Sequence, residues 1–356
     1  MIRSVGALAL ALLAAGCGGS DDEPEPGDLL TPPPRGKGVQ LSTGEFEVPA
    51  GAEIQNCHFF QVRELNKRAG LPEDDPFVLH RTQIAFRDGS HHMNIFRVKT
   101  IVGLDPANGA VQLGVDGAGE CFKSPNWADW PLIANSQNDE AFDWTYPDGV
   151  GNELLPDEWL MLQTHYVNAT TQATPGGAEV EVNFWNMPKA ELVHQLGTLF
   201  ATKQSIRICQ SNPTPKFSGS CQFNSQKPVN IIGANAHFHS RGKSFDMFAW
   251  DGMTPAQPPL DKRFYSSSSW DEPPMMKSPE LDLGVPAGAG VWYTCAYEWA
   301  PPPPSIGCDG LNAMDQKANP GVEPDCCYTF GGVVDRAEHC NIFAYYYPKA
   351  DDVNCC

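Results

Sequence analysis

Of the nine histidines in this 356-residue chain, five stand in three short constellations: Ser90-His91-His92-Met93, Gln163-Thr164-His165-Tyr166 and Ala236-His237-Phe238-His239. A sixth lies near the end, in Glu338-His339-Cys340-Asn341. A neutral imidazole binds copper, zinc, iron or nickel through one ring nitrogen, while an acceptor on the other nitrogen fixes the direction of the ring. Residues i and i+2 of a strand share a face, so His237 and His239 converge on one ion if their segment is extended. Consecutive His91 and His92 would point to opposite faces of a regular strand. For both to reach one metal the backbone must bulge or turn, and Asp88-Gly89-Ser90 just before them suits that. His58, His80 and His194 stand alone and read as ordinary core or surface histidines.

The elements that must position these side chains read as strands. Gln83–Phe86, Leu160–Val167, Glu179–Phe184 and Val291–Thr294 are short, β-branched or aromatic, and often alternating. Glycine (33) and proline (32) fall between such runs as turn punctuation. No long apolar repeat of helical period occurs. Many short strands with frequent turns imply an all-β protein of two tandem antiparallel β-sandwich, jelly-roll-like domains, stapled by disulfides. A boundary near Pro188–Val193 divides the body into a domain of residues 41–190 and another of 191–356, since its length exceeds one typical core.

Arg3 precedes an apolar run, Val5–Ala15, too short to cross a bilayer, which takes about 20 residues, but right for a signal peptide. The run ends in Leu13-Ala14-Ala15-Gly16-Cys17, so residues 1–16 read as a lipoprotein signal and Cys17 as the lipidated residue. Residues 17–40, poor in apolar side chains, read as a disordered tether. The expected location is the bacterial cell envelope, with the lipid anchor as the sole membrane contact. A net charge of −19 argues against nucleic acid or an anionic lipid surface as a partner. Twelve cysteines in an exported chain imply disulfides. Cys209 and Cys221 bracket a short Pro/Gly/Ser loop and are expected to bridge it. Cys308, Cys326, Cys327, Cys355 and Cys356 crowd the C-terminal end, where they suggest stapled loops.

His91-His92-Met93, Leu162-Gln163-Thr164-His165-Tyr166, His237-Phe238-His239, Phe330-Gly331-Gly332, Glu338-His339-Cys340-Asn341 and Tyr345-Tyr346-Tyr347-Pro348 occur in an order and approximate spacing that resemble the copper type II, ascorbate-dependent monooxygenases. These include peptidylglycine α-hydroxylating monooxygenase and dopamine β-hydroxylase. The resemblance runs from about Gln55 to the C-terminus. It implies two copper ions. His91, His92 and His165 would hold an electron-storing copper, and His237 with His239 a copper that binds dioxygen, the two separated by a solvent-filled cleft. It implies hydroxylation of a substrate C–H bond with O2 and a reductant such as ascorbate. It also implies disulfides Cys295–Cys340 and Cys57–Cys121.

The chain departs from that family where the third ligand of the oxygen-binding copper, a methionine, is replaced by His339. A thioether favours Cu(I), whereas imidazole serves Cu(I), Cu(II) and zinc alike. The peptide-hydroxylating branch has a carboxylate-binding arginine where this chain has Asn235, and a tyrosine where it has Phe343, so a peptidylglycine substrate is not expected. Asn341 matches the family. Asn235, Asn341 and Phe343 are the candidate contacts for a small organic substrate. A second reading keeps the fold but assigns the sites to copper capture or sensing without turnover. A third leaves only the His237, His239 and His339 site, holding zinc or copper for other chemistry.

Overall fold

The computed structural model describes residues 29–87, 90–99, 111–115, 130–137, 142–168, 170–172 and 177–355. Residues 1–28, with the expected signal peptide and Cys17, lie outside them. Two multi-stranded sheets form before residue 196. One runs Gly38–Ser42, Val180–Asn186, Phe77–Phe86, Val150–Leu154, His194–Gln195, with Phe142–Thr145 also paired to Phe77–Phe86. The other runs Val111–Val115, Glu53–Gln61, Trp159–Val167, Ser90–Arg97, Leu132–Ser136. Two more follow. Gly197–Thr202, Asn341–Tyr347 and Val229–His237 form the first, with Met276–Lys277 and Leu283–Val285 on its edge. Arg263–Ser267, Gly242–Trp250, Gly290–Tyr297, Lys216–Asn224 and Asp352–Cys355 form the second. A small sheet joins Arg207–Ile208, Tyr328–Phe330 and Ala337–Glu338. Pairing in the four large sheets is antiparallel, except where His194–Gln195 lies parallel to Val150 and Gly151. The four runs read as strands from their composition lie in strands, save that the third strand begins at Val180, one residue after Glu179.

Two apolar clusters hold these sheets. One is built on Leu41, Phe59, Leu79, Ile95, Leu162 and Phe184, the other on Phe223, Ile231, Phe245, Val291, Tyr293 and Ala344. The first cluster also takes in Ile232, Phe343 and Tyr345, so the two halves of the chain share apolar contact. The Lys189–Glu191 turn lies within the stretch read as the boundary.

Three features differ from the sequence reading. The expected tether reached residue 40, yet Gly38–Ser42 is a strand paired with Val180–Asn186. Val39 and Leu41 supply the apolar face that holds it, and a Cβ on Gly38 would lie 2.2 Å from the Phe184 carbonyl oxygen. Ahead of that strand, Leu29 and Leu30 donate their N–H groups to Glu181. Secondly, helices occur at Val62–Ala69 and Gly307–Ala318. The second buries only Leu311 and Asp315, so it has no apolar stripe to betray it. It is held by the Cys308–Cys326 disulfide and by the Arg207–Asp315 ion pair.

Thirdly, Cys209 and Cys221 do not bridge each other. Cys209 pairs with Cys327, and Cys221 with Cys355. Strand pairing decides this. Cys355 lies directly opposite Cys221, and Arg207–Ile208, just before Cys209, pairs with Tyr328–Thr329, just after Cys327. Cys295 and Cys340 form a disulfide. Cys57 is disulfide-bonded, and its expected partner Cys121 lies outside the described residues. Peptide mapping of the oxidised protein should recover Cys209–Cys327 and Cys221–Cys355 as linked pairs. Cys221→Ser should cost about 2–5 kcal/mol in denaturant unfolding. Recovery of a Cys209–Cys221 peptide would contradict the pairing.

Candidate metal centre

The Ser90–Arg97 and Trp159–Val167 strands are neighbours, and His92 lies directly opposite His165. The register slips between Ser90 and His92, so His91 is the extra residue of a bulge. That irregularity lets consecutive histidines approach the same point. In the other half, the Val229–His237 strand ends with His237 opposite Asn341. His239 and His339 extend beyond that pair on the two strands, and their rings come within 4.4 Å of each other.

All six histidines meet in one nest. Ring centroids lie 4.8 Å apart for His92 and His165, 4.7 Å for His92 and His237, and 5.1 Å for His91 and His237. The solvent-filled cleft implied by the family resemblance is therefore not present here. His91 also touches His239 at 5.7 Å, and every ring of the six is buried. The ligand grouping differs too. Two triads have their candidate ligand atoms within 4.8 Å of one another: His91, His92, His237, and His237, His239, His339. His237 belongs to both, and His165 stands beside the first triad. Polar contacts at the site itself join the halves: Asn135 and Gln137 bond Asn235, Gln137 bonds His237, and Glu53 bonds Val334.

Each of the six rings has one buried nitrogen without a hydrogen-bond partner among the described residues: Nε2 of His91, His237 and His239, and Nδ1 of His92, His165 and His339. On several rings the opposite nitrogen is held. His165 Nε2 donates to Glu53 at 2.7 Å, His237 Nδ1 to Gln137 Oε1 at 2.9 Å, and His239 Nδ1 to the Ala337 carbonyl at 3.0 Å. Such a bond fixes the tautomer and leaves the other nitrogen as a lone pair. A buried polar atom left unpaired costs about 1–3 kcal/mol. Six together therefore approach a domain's whole stability of about 5–15 kcal/mol. Metal–nitrogen bonds of about 2.0 Å would satisfy them, so either triad fits a metal ion, with the one free lone pair of His237, on Nε2, open to one ion at a time.

Electrostatics agree. Burial, reinforced by neighbouring imidazoles, holds His91, His92, His237 and His239 well below the ordinary histidine range, and pushes His339 down to about 3. The rings therefore stay neutral and able to bind a cation. Behind His239, the buried Glu338 carboxylate accepts the N–H groups of His239 and Arg241, each at 2.9 Å. Burial pushes Glu338 up to about 7, against the pull of the Arg241 guanidinium. Glu338, Gln137 and Glu53 are functional residues that sequence reasoning missed. Glu338 adjoins His339 in sequence and was the one within reach, but Gln137 and Glu53 carry no local motif.

The candidate substrate contacts are packed away. Asn235 accepts from Asn135 at 3.1 Å and Gln137 at 3.2 Å, and is 1% exposed. Phe343 stacks on Phe200 at 5.0 Å inside the apolar cluster. Both have internal packing roles, because the sheet carrying them lies against the first half of the chain. Asn341 is also buried, with its side-chain oxygen unpaired. His58 is buried and lowered to about 4, His80 binds the Trp185 carbonyl, and His194 is exposed. None of these three joins the nest.

No protein-family model matches the chain, and no curated protein matches it. Among solved structures, an alignment with a chain titled "Structure of infectious bursal disease virus Gx strain" covers 89% of this chain and 78% of that one, at 8% identity and a TM-score of 0.14. A likeness that slight carries no argument.

Stability of the metal-free protein should follow the histidines. Their folded-state values lie below the unfolded value of about 6.5, so the unfolded chain takes up protons that the folded one refuses. Stability is full above pH 6.5 and declines as pH falls toward the folded values. Glu338 works oppositely between its ordinary 4.5 and about 7, but as one group against several. The thermal midpoint should fall steadily from about pH 6.5 to 4.5. A flat or rising midpoint in that window would contradict neutral buried rings.

Proposed function

We propose that this chain is a copper protein of the cell envelope whose six-histidine nest holds two ions side by side. We further propose that it hydroxylates a C–H bond of a small organic substrate with O2 and a reductant such as ascorbate. The observation that carries the metal reading is the set of six buried imidazole nitrogens that face one another unpaired. The likeness of the histidine motifs to the copper monooxygenases supplies the choice of copper and of reaction. On this reading the sheets pair as two sandwiches and Cys17 carries the lipid. Several disulfides suit an extracytoplasmic protein. No helix of the described residues is long and apolar enough to cross a membrane.

Bound copper would supply one-electron redox cycling and O2 activation. The chain's own residues do the rest. Gln137 and the Ala337 carbonyl hold His237 and His239 with their Nε2 lone pairs inward. Phe330 packs on His339 at 5.0 Å and also lines a cavity of about 480 Å³ with Met314, Val333, Arg336 and Ala337. That cavity, mostly apolar with cationic Lys317 and Arg336 at its wall, is the space we assign to a small organic substrate. A second reading, copper capture without turnover, is favoured by enclosure of the nest, since each ring is at most 9% exposed.

Anaerobic titration with Cu(I) should give two equivalents per chain. His339→Ala should lose one, and His237→Ala one, because Nδ1 of His237 is committed to Gln137 and the single remaining lone pair, on Nε2, can bind one ion. Retention of both equivalents in H237A would contradict His237 as a ligand. His339→Met should raise the reduction potential of its position, as a thioether favours Cu(I). Ascorbate-driven O2 consumption coupled to substrate oxidation supports the enzyme, whereas two bound coppers without turnover support capture.

A further inference from the structure

The segment Gly331–Glu338, which leads into His339, crosses the nest and is gripped from both halves of the chain. From the first half comes Glu53, at the start of the Glu53–Gln61 strand. Its Oε1 accepts the His165 Nε2 proton at 2.7 Å and also the Val334 backbone N–H at 3.3 Å. From the second half comes Arg241, whose guanidinium donates to the Val334 carbonyl at 2.5 Å and the Asp335 carbonyl at 2.8 Å. Arg241 is in turn paired with Glu338 at 3.2 Å and lies 4.0 Å over the Tyr328 ring. Glu338 accepts the His239 N–H. An unbroken line of hydrogen bonds thus runs from His165 through Glu53, Val334, Arg241 and Glu338 to His239.

We propose that Glu53 is a positioning residue that clamps the nest across the two halves, turning His165 Nδ1 inward and fixing the turn at Val334–Arg336 that leads to His339. The inference rests on reading the six histidines as metal ligands. Two properties set Glu53 apart from an ordinary surface carboxylate. Its side chain is 11% exposed, and a single oxygen serves one ligand ring and one backbone group that lie 169 residues apart, at His165 and Val334. A carboxylate is the acceptor that best holds a ring N–H while making the opposite nitrogen more basic. Arg241 cannot substitute for it, because guanidinium only donates and reaches the carbonyl side of the segment.

The test uses the full chain and the variants Glu53→Ala and Glu53→Gln, with long-range proton–nitrogen NMR of the histidine rings, amide exchange, and Cu(I) competition titration. In the metal-free wild type His165 should carry its proton on Nε2, and the Val334 amide should be protected. E53A should mix the His165 tautomers, speed exchange at Val334, and weaken Cu(I) binding about 10- to 100-fold. E53Q keeps an acceptor oxygen and should restore the Nε2–H form and the protection. Should E53A fail to fold, Glu53→Leu, of similar length and without an acceptor, repeats the comparison. An E53A protein with the wild-type His165 tautomer overturns the proposal. So does a change at His165 with Val334 exchange unaltered, since the clamp requires both arms. A wild type that binds no Cu(I), yet shows both NMR changes in E53A, would reject the metal reading and leave the positioning role standing.

Discussion

Six buried imidazoles are packed together, each with a ring nitrogen that no group among the described residues satisfies. Everything near them follows from that constraint. Unpaired buried acceptors destabilise a fold, and their combined cost is comparable with a domain's stability. A cation that binds their lone pairs would remove that cost, whereas protons do so poorly because burial resists charge on His91, His92, His237, His239 and His339. Metal binding and folding are therefore coupled: the ion stabilises the state that presents its ligands.

The scaffold serves this constraint by rigidity. The ligands sit at strand ends and in a bulge, on elements tied by ladder hydrogen bonds and by the Cys295–Cys340 disulfide next to His339. Tyr297 adds a hydrogen bond to the His339 carbonyl. Orientation comes from the opposite half in one case: Gln137, following the Leu132–Ser136 strand, holds His237. An ion bound among such residues would meet nearly fixed geometry.

Compactness also bears on what reaches the metal. The adjoining triads leave no room for a broad aqueous gap between them. On the Phe330–Ala337 side a cavity meets the segment carrying His339. The enclosed Asn235 amide is committed to Asn135, Gln137 and the Pro273 and Pro274 carbonyls.

Local order was legible in the residues themselves. Composition and alternation mark Leu160–Val167 and Glu179–Phe184 as strands, the i, i+2 spacing joins His237 to His239, and the awkwardness of adjacent His91 and His92 points to a bulge or turn. Such features depend on backbone period, which a sequence carries directly. The Gly307–Ala318 helix was not legible, because a disulfide and an ion pair hold it instead of an apolar stripe. Disulfide partners and the meeting of six histidines were decided only by tertiary structure. Cys221 finds Cys355 through strand pairing over 134 residues, and His91 meets His237 through packing between distant sheets. Contacts of that range are set by which surfaces bury together, and no local spacing encodes them.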